Sequence, residues 1–238
     1  MGEREIAIVV GVGGGLGAAL SRRFAEAGMA VALAARSDRT TAALAAEIEG
    51  AGGRARGYAC DATDEAAVIG LYDAVAADLG PPDLVVYNVG AYRRAAILEA
   101  EAADFERCWR VGCFGGFLVG REAARRMVPR GSGTVILTGA TASLRGSAGF
   151  FNLAVGKFGL RALAQSMARE LGPKGLHVAH VVIDGQIAGP YYAELAKERG
   201  PDALLAPAAI AEAYYGLHRQ QRSAWTHELD LRPWVEPF

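Results

Sequence analysis

The sequence predicts a single α/β domain in which a doubly wound parallel sheet carries helices on both faces. Short apolar runs alternate with amphipathic segments along the 238 residues, which is the pattern of repeated strand–helix–strand units. The runs are apolar at nearly every position, and strands of this composition are buried on both faces, as in a parallel sheet. The crossovers of such a sheet are right-handed, and its ligand binds outside the carboxyl ends of the strands.

Each element in the first half of the chain has a recognisable boundary. Gly28 and Gly50 end helical patterns, because glycine readily adopts the backbone conformation that closes a helix C-terminus. Asp64 precedes another helical pattern and can accept hydrogen bonds from its first N–H groups, and prolines at 81 and 82 separate that helix from the next strand. We predict, in order, strand 6–10, helix 16–27, strand 30–35, helix 40–49, strand 56–60, a helix from residue 63 and strand 84–87.

The second half contains two long helical patterns. We predict helix 102–128, strand 134–138, helix 150–171, strand 176–183 and a last strand within residues 224–234. Residues 185–207 are the least regular stretch, since Gly189-Pro190 and Gly200-Pro201 interrupt it. Because this stretch follows the sixth predicted strand, it is either a lid over the ligand site or an ordinary surface connection.

Composition and cysteine spacing exclude several classes of function. The formal net charge is -1 and no tract is rich in lysine or arginine, so we expect no nucleic-acid partner. There is no run of about 18 apolar residues and no charged-then-apolar leader, which predicts a cytoplasmic protein without a membrane segment. Cys60, Cys108 and Cys113 lack metal-ligand spacing, and His177 and His180 point to opposite faces of a predicted strand, so we expect no metal site.

The first predicted strand leads into a cluster of glycines and then into a helix. Gly11, Gly15 and Gly17 have the spacing Gly-x-x-x-Gly-x-Gly, and Gly13 and Gly14 occupy two of the intervening positions. Unpaired N–H groups and the dipole at a helix N-terminus attract negative charge, while residues without Cβ let a pyrophosphate approach closely. The stretch therefore predicts a nucleotide phosphate site, and the alternative is a flexible turn.

Three further positions accompany the glycines in order along the chain. Asp61 follows the third predicted strand, Asn88-Val89-Gly90 follows the fourth, and Lys157 lies in the second long helix. With these residues the chain resembles the short-chain dehydrogenase/reductase family over essentially its whole length. The resemblance implies a Rossmann-type fold, one NAD(P)-binding domain over residues 1–238, oxidoreductase activity and a small-molecule substrate.

The resemblance also implies a homo-oligomer. In the family the two long helices form an interface, which here places helices 102–128 and 150–171 between the subunits of a homodimer or homotetramer. Trp225 and Trp234, close to the end of the chain, would be costly to expose to water. They either form a second interface or dock on the chain's own core.

The resemblance assigns roles to several residues near the cofactor. Asp61 would hydrogen-bond the adenine amino group with help from Ala62, and Asn88 would brace the central sheet beside the adenosine ribose. Lys157 would bind the hydroxyls of the nicotinamide ribose. The implied cofactor-binding residues are Gly11, Gly13, Gly15, Leu16, Gly17, Arg36, Asp61, Ala62, Asn88, Gly90, Lys157 and Ile187.

The end of the second predicted strand bears on the choice between the two nicotinamide cofactors. An acidic residue there would bind a ribose 2′-hydroxyl, but the chain has Ala35 followed by Arg36 and Ser37. A guanidinium pairs with a 2′-phosphate, whereas a carboxylate repels it. Arg36 therefore predicts NADP(H), with NAD(H) less favoured, although the glycine loop lacks the basic residue that NADP-preferring relatives often carry. The alternative is an arginine solvated in a surface loop.

The catalytic pattern of the family is largely missing. Family members use a tyrosine as general acid/base, a lysine four residues later that lowers the tyrosine pKa, a serine that orients the substrate oxygen and an asparagine that supports a proton relay. Lys157 is present, but Leu153 occupies the tyrosine position, Ala140 the serine position and Gly112 the asparagine position. The usual Pro-Gly after the sixth strand is also replaced, here by Asp184-Gly185.

Other side chains are candidates for the lost proton transfer. Thr141 and Ser143 follow the missing serine closely, and we predict them, with Lys157, as the catalytic residues. Weaker candidates lie on loops around the expected pocket, each with a surface or packing role as the alternative. These are Tyr92, Tyr191, Tyr192 and Asp184 as proton donors or acceptors, and Arg93 and Arg145 as ligands for an acidic substrate.

Three functions remain open from the sequence. The first is an NADP(H)-dependent oxidoreductase that acts on a small carbonyl or alcohol compound with a non-standard proton donor. The second is a catalytically silent NADP(H)-binding protein or partner subunit, which would bind the cofactor tightly without turnover. The third is a non-redox isomerase or lyase on the same fold, which would form product without a change in nicotinamide absorbance.

Overall fold

The computed structural model describes residues 4–236 and contains a parallel sheet at its centre. Within those residues seven strands pair in the order β3-β2-β1-β4-β5-β6-β7, and every pair is parallel. The order reverses between β1 and β4, so the sheet is doubly wound with its crevice at that point. The strands are β1 (Ile6–Val10), β2 (Ala30–Ala35), β3 (Arg54–Ala59), β4 (Leu84–Tyr87), β5 (Gly133–Thr138), β6 (Leu176–Ile183) and β7 (Glu228–Leu231).

Helices cover both faces of this sheet. One face carries the apolar side chains of α1, α2 and α8, and the other carries those of α3, α5 and α6. The strands supply both cores because their side chains alternate, as Ile8 and Val9 show. The helices are α1 (Leu16–Glu26), α2 (Asp38–Gly50), α3 (Glu65–Asp78), α4 (Ala102–Trp109), α5 (Gly115–Met127), α6 (Phe151–Leu171), α7 (Ala193–Arg199) and α8 (Pro207–His218).

The predicted long helix 102–128 is wrong as a single element. Five residues, Arg110–Phe114, form a π-helical segment that joins α4 to α5. At this point a Cβ on Gly112 would lie 3.2 Å from Cα of Gly156, so the two glycines let the segment approach α6 closely. The insertion satisfies a tertiary contact, which helical periodicity alone does not show.

The other boundaries differ by small amounts. The third strand was predicted two residues late, and Asp64 caps α3 as predicted, since its Oδ1 accepts a hydrogen bond of 3.0 Å from Ala67 N. The irregular stretch 185–207 contains α7 and an isolated bridge between Ile187 and Leu205. Sequence reasoning missed α8, although Pro207 at its first turn is a common helix start. None of the helices within residues 4–236 is long and apolar enough to cross a membrane.

Candidate functional site

A cleft opens at the carboxyl ends of the strands around the switch point. Its volume is about 560 Å³, and it lies where β1, β2 and β4 end, which is where a doubly wound sheet binds its ligand. The lining combines the glycine turn, the end of β2, the turn after β3 and the loop after β4. These residues are Val10, Gly11, Val12, Gly13, Ala34, Ala35, Arg36, Ser37, Cys60, Asp61, Ala62, Thr63, Asn88, Val89, Gly90, Ala91, Tyr92, Arg107 and Val111.

The glycine turn divides into structural and open positions. Gly11 has a φ of +99°, and a Cβ there would lie 2.6 Å from the carbonyl oxygen of Asn88. A Cβ on Gly17 would lie 2.6 Å from the carbonyl oxygen of Gly11, so both positions need glycine for backbone packing. A Cβ on Gly13 or Gly15 would meet nothing within 4 Å, so these positions leave open space.

The open side of this turn faces the start of α1. Gly15 is the N-cap, and no side chain within residues 4–236 caps this helix. The N–H of Ala18 donates to the carbonyl oxygen of Gly13 at 3.1 Å, so the N–H groups before it are the ones that an anion could use. The helix dipole favours negative charge there. The turn has the form of a phosphate cradle.

Two charged residues, Arg36 and Asp61, line the cleft just after the ends of β2 and β3. Arg36 is exposed, and Ser37 lies beside it at the end of β2. Asp61 accepts hydrogen bonds from the backbone N and the hydroxyl of Thr63, at 2.9 Å and 2.8 Å. These bonds, and to a smaller extent the charges of Arg36 and Arg110, lower the pKa of Asp61. Asp61 is consequently an ionised acceptor held in a fixed orientation at neutral pH.

Asn88 connects the two sides of the crevice. Its Nδ2 donates to the carbonyl oxygen of Gly11 at 3.2 Å, and its backbone N donates to the carbonyl oxygen of Val10 at 2.8 Å. The side chain thus ties the end of β4 to the glycine turn. Asn88 thus braces β4 against the end of β1.

Lys157 lies beneath the loop after β4. Its side chain is buried, and Nζ donates to the carbonyl oxygen of Thr138 at 2.7 Å and to that of Val89 at 3.3 Å. Burial lowers the pKa of Lys157 to about 8, so that a substantial fraction is neutral slightly above neutral pH. A lysine in this state can donate or accept a proton near pH 8.

The two predicted hydroxyl donors have different surroundings. Thr141 is half-buried, and its Oγ1 donates to Oδ1 of Asp184 at 2.5 Å. The Asp184 carboxyl is itself buried and pairs with Arg232. Ser143 is completely buried, and its Oγ accepts a hydrogen bond of 3.1 Å from the backbone N of Ala140. The structure therefore withdraws Ser143, because its hydroxyl closes the turn after β5. None of the three predicted catalytic residues, Lys157, Thr141 and Ser143, lines the cleft.

The weaker candidates are scattered. Tyr92 lines the cleft and stacks on Phe150 at 5.1 Å. Tyr191 is 89% exposed and packs against Tyr192. Tyr191 and Tyr192 do not line the cleft. Arg93 forms an ion pair with Asp104, and Arg145 is exposed.

Two residues of the cleft were missed by sequence reasoning. Thr63 lines it and fixes Asp61, and the Asp-x-Thr spacing was a usable signal, because Asp commonly accepts a hydrogen bond from the N–H two residues on. Arg107 also lines it, on α4, and pairs with Asp104. Arg107 had no local signal, since its place depends on how α4 packs.

The sequence matches the model of one protein family across most of its length. The match to the family described as short chain dehydrogenase spans residues 5–199. The chain belongs to the short-chain dehydrogenase/reductase family. It is accordingly an oxidoreductase of this family, and its parallel sheet is of the Rossmann type.

Individual relatives agree with this assignment. The short-chain reductase protein NovJ of Streptomyces niveus is 31% identical over 233 residues, which cover 97% of this chain and 88% of NovJ. The crystal structure of a short-chain dehydrogenase from Rhodopseudomonas palustris is 42% identical, with a TM-score of 0.84 over 97% of this chain and 99% of that chain. A metagenomic short-chain oxidoreductase, solved in complex with NADP, is 26% identical with a TM-score of 0.83, and the match covers 97% of each chain.

The three positions at which the resemblance implies a substituted catalytic residue carry no side chain that can ionise. Leu153 lies one turn before Lys157 on α6, Ala140 begins the turn after β5, and Gly112 is buried in the π-helical segment. None of these side chains can exchange a proton. The glycine turn and Asp61 both lie at the cleft, whereas Lys157 is buried next to the loop after β4.

Proposed function

We propose that this family member is an NADP(H)-dependent oxidoreductase that interconverts a small alcohol and its carbonyl compound with a non-standard proton donor. The observation that carries the proposal is Arg36, whose exposed guanidinium stands at the rim of the cleft beside the end of β2. At this place a carboxylate would repel a 2′-phosphate and a guanidinium attracts it. The relative that was solved with NADP supports the same choice.

The described residues fit such a cofactor. The open turn at Gly13 and Gly15 and the start of α1 would hold the pyrophosphate, and Asp61 would accept a hydrogen bond from the adenine amino group. Lys157 would bind the nicotinamide ribose. Bound in this way, the nicotinamide supplies or accepts the hydride. The remaining proposed contacts are with Leu16, Ala62, Asn88, Gly90 and Ile187.

Lys157 is the group proposed to exchange the proton with the substrate oxygen. With Leu153 in place of the tyrosine, the neighbouring turn of α6 offers no acid, whereas the pKa of Lys157 is lowered to about 8 by burial. Loss of a general acid costs roughly 10²–10⁴ in rate unless another group replaces it. Thr141, held by Asp184, is proposed to orient the substrate oxygen.

The proposal includes a homodimer or homotetramer in the cytoplasm. Five large apolar side chains on α4, α5 and α6 are more than a third exposed, which is unusual for helices of a monomer. Cys60, Cys108 and Cys113 are unpaired thiols, as in a reducing compartment. The exposed side chains are Phe105, Trp109, Phe117, Val155 and Phe158.

A binding titration tests the cofactor assignment. Purified protein is titrated with NADPH and with NADH by calorimetry, and the Arg36→Ala variant is titrated in the same way. Because a charge-assisted contact to phosphate is lost, we expect NADPH to bind roughly 10- to 100-fold more weakly to the variant. NADH binding should change by no more than about twofold.

The control is Arg54→Ala, which removes an arginine from the opposite, amino-terminal end of β3. It should leave both affinities unchanged. Equal weakening of NADPH and NADH in the Arg36 variant would contradict the proposed phosphate contact. Tight NADPH binding without turnover of any alcohol or carbonyl compound would instead indicate a catalytically silent protein.

A further inference from the structure

A buried histidine on β6 does not line the cleft. His180, on β6, is completely buried, and its register partner is Glu228 on β7. Nδ1 of His180 lies 3.0 Å from Oε2 of Glu228. Glu228 is 26% exposed and accepts two hydrogen bonds from Arg161, at 2.7 Å and 2.6 Å. The pair therefore extends from the interior to the surface.

The surroundings of the imidazole determine where its proton lies. Burial lowers the pKa of His180 to about 4, so the ring is neutral at pH 7. The hydrogen bonds from Arg161 lower the pKa of Glu228, so its carboxylate is an acceptor. Nδ1 therefore carries the proton and donates it to Glu228, and Nε2 presents a lone pair to the interior. Within the described part of the chain Nε2 has no hydrogen-bond partner.

Nε2 of His180 lies beside Gly139, the residue that follows the hydrogen-bond acceptor of Lys157. A Cβ at residue 139 would overlap Nε2 and lie 2.6 Å from Cε1 of His180, so the ring occupies the space beside Gly139. The carbonyl of Thr138, the preceding residue, accepts the 2.7 Å hydrogen bond from Lys157. Lys157 is thus hydrogen-bonded to Thr138, and the ring of His180 lies beside the next residue, Gly139.

From this arrangement we infer that His180 and Glu228 form a proton relay that connects Lys157 to solvent. The inference rests on the proposed function. In alcohol oxidation the C–H bond breaks, a bound oxidised nicotinamide would accept its hydrogen and electron pair as hydride, and neutral Lys157 takes the hydroxyl proton. Lys157 passes a proton to Nε2, directly or through one water, and Nδ1 then releases its own proton to Glu228 and solvent.

After one transfer the ring carries its proton on Nε2, and the resting tautomer returns when Nε2 loses that proton to solvent and Nδ1 takes one up from solvent before the next turnover. Carbonyl reduction uses the same groups in the reverse order. The charged groups that face His180 are Lys157 and Arg161 from α6 and Glu228 from β7. The relay compensates for the tyrosine and asparagine positions of the family, which Leu153 and Gly112 occupy without a transferable proton.

His180→Gln tests the relay, since glutamine keeps a polar side chain but cannot pass a proton through a ring. The matched control is His177→Gln, on the same strand but the opposite face, where His177 stacks on Trp225. We expect the kcat for alcohol oxidation between pH 6 and pH 10 to fall roughly 10- to 100-fold in the His180 variant. Glu228→Gln should lower kcat as well, whereas the His177 variant and the NADP⁺ affinity of all variants should change by less than about twofold.

A second measurement does not depend on turnover. Nitrogen-15 NMR of the resting protein should show His180 protonated at Nδ1, and Lys157→Met should shift its Nε2 resonance but not those of His177. An Nε2-protonated ring, or a kcat in the His180 variant equal to that of the His177 control, would overturn the relay. If His180→Gln does not fold, the kcat of Glu228→Gln and the NMR result decide whether the relay exists.

The two proposals fail in different ways. A wild-type protein that oxidises no alcohol and reduces no carbonyl compound would contradict the proposed function, and the relay would fall with it. An active wild-type protein whose kcat is insensitive to His180→Gln and Glu228→Gln would contradict the relay alone.

Discussion

Replacing Lys157 with methionine should stabilise the protein at neutral pH while abolishing its activity. The side chain is buried and donates to two carbonyl oxygens, and burial lowers its pKa from 10.5 to about 8. In the unfolded chain the same lysine has its ordinary pKa. Holding the ammonium in the folded state at pH 7 therefore costs about 3 kcal/mol, at 1.36 kcal/mol per pKa unit.

The cost of burying the Lys157 ammonium falls as the pH rises. Between pH 8 and pH 10.5 the unfolded chain binds more protons than the folded one, so the wild-type protein gains stability as the pH rises. The penalty falls to about 1 kcal/mol at pH 10. Methionine carries no charge and has no such dependence, although it leaves two carbonyls without their donor, at about 1 kcal/mol each at any pH.

The assay is urea unfolding of the wild-type protein and Lys157→Met at pH 7 and pH 10. The difference between their free energies of unfolding should move by roughly 2 kcal/mol in favour of the wild type between these pH values. Other titrating groups cancel in this difference. Lys174→Met, which removes a half-exposed lysine on the surface, should give a difference that does not change with pH. A constant difference for Lys157→Met would refute the claim that its ammonium is desolvated.

Two further predictions concern stability and assembly. Asp64→Ala should lower the free energy of unfolding by about 1 kcal/mol in urea denaturation, because the N-terminus of α3 loses its 3.0 Å cap to Ala67; Asp64→Asn, which keeps the acceptor, should lose much less. Phe158→Lys should shift sedimentation from the proposed homo-oligomer toward smaller species, because it places a charge in the exposed apolar face of α6. A variant that sediments like the wild type would place the interface elsewhere.

The local sequence pattern was sufficient to predict most of the strands and helices. β4, at Leu84–Tyr87, and β6, at Leu176–Ile183, have the predicted bounds because continuous apolar runs mark strands buried on both faces. Asp64 was recognisable as a cap from its place before a helical pattern. The prediction of one helix over 102–128 failed where Gly112 meets Gly156, since that contact joins parts of the chain that are far apart in sequence.

The partners of the C-terminal tryptophans also depended on long-range contacts. Trp225 packs within its own chain, stacked on His177 at 4.9 Å, whereas Trp234 is 80% exposed. The sequence left both possibilities open for both residues. Their different surroundings come from the stacking of Trp225 on His177 of β6, a contact between parts of the chain that are far apart in sequence.

The sequence by itself determined the fold class and the family, because strand composition and motif spacing are local properties. The phosphate site and the substituted catalytic positions at Leu153, Ala140 and Gly112, which the resemblance implies, stay predictions. Only the tertiary structure decided that Ser143 is withdrawn and that Lys157 is desolvated. Only the structure, too, placed His180 beside Glu228 and Gly139. Proton affinity depends on burial and on charges from other elements, and these are set by long-range packing rather than by local sequence.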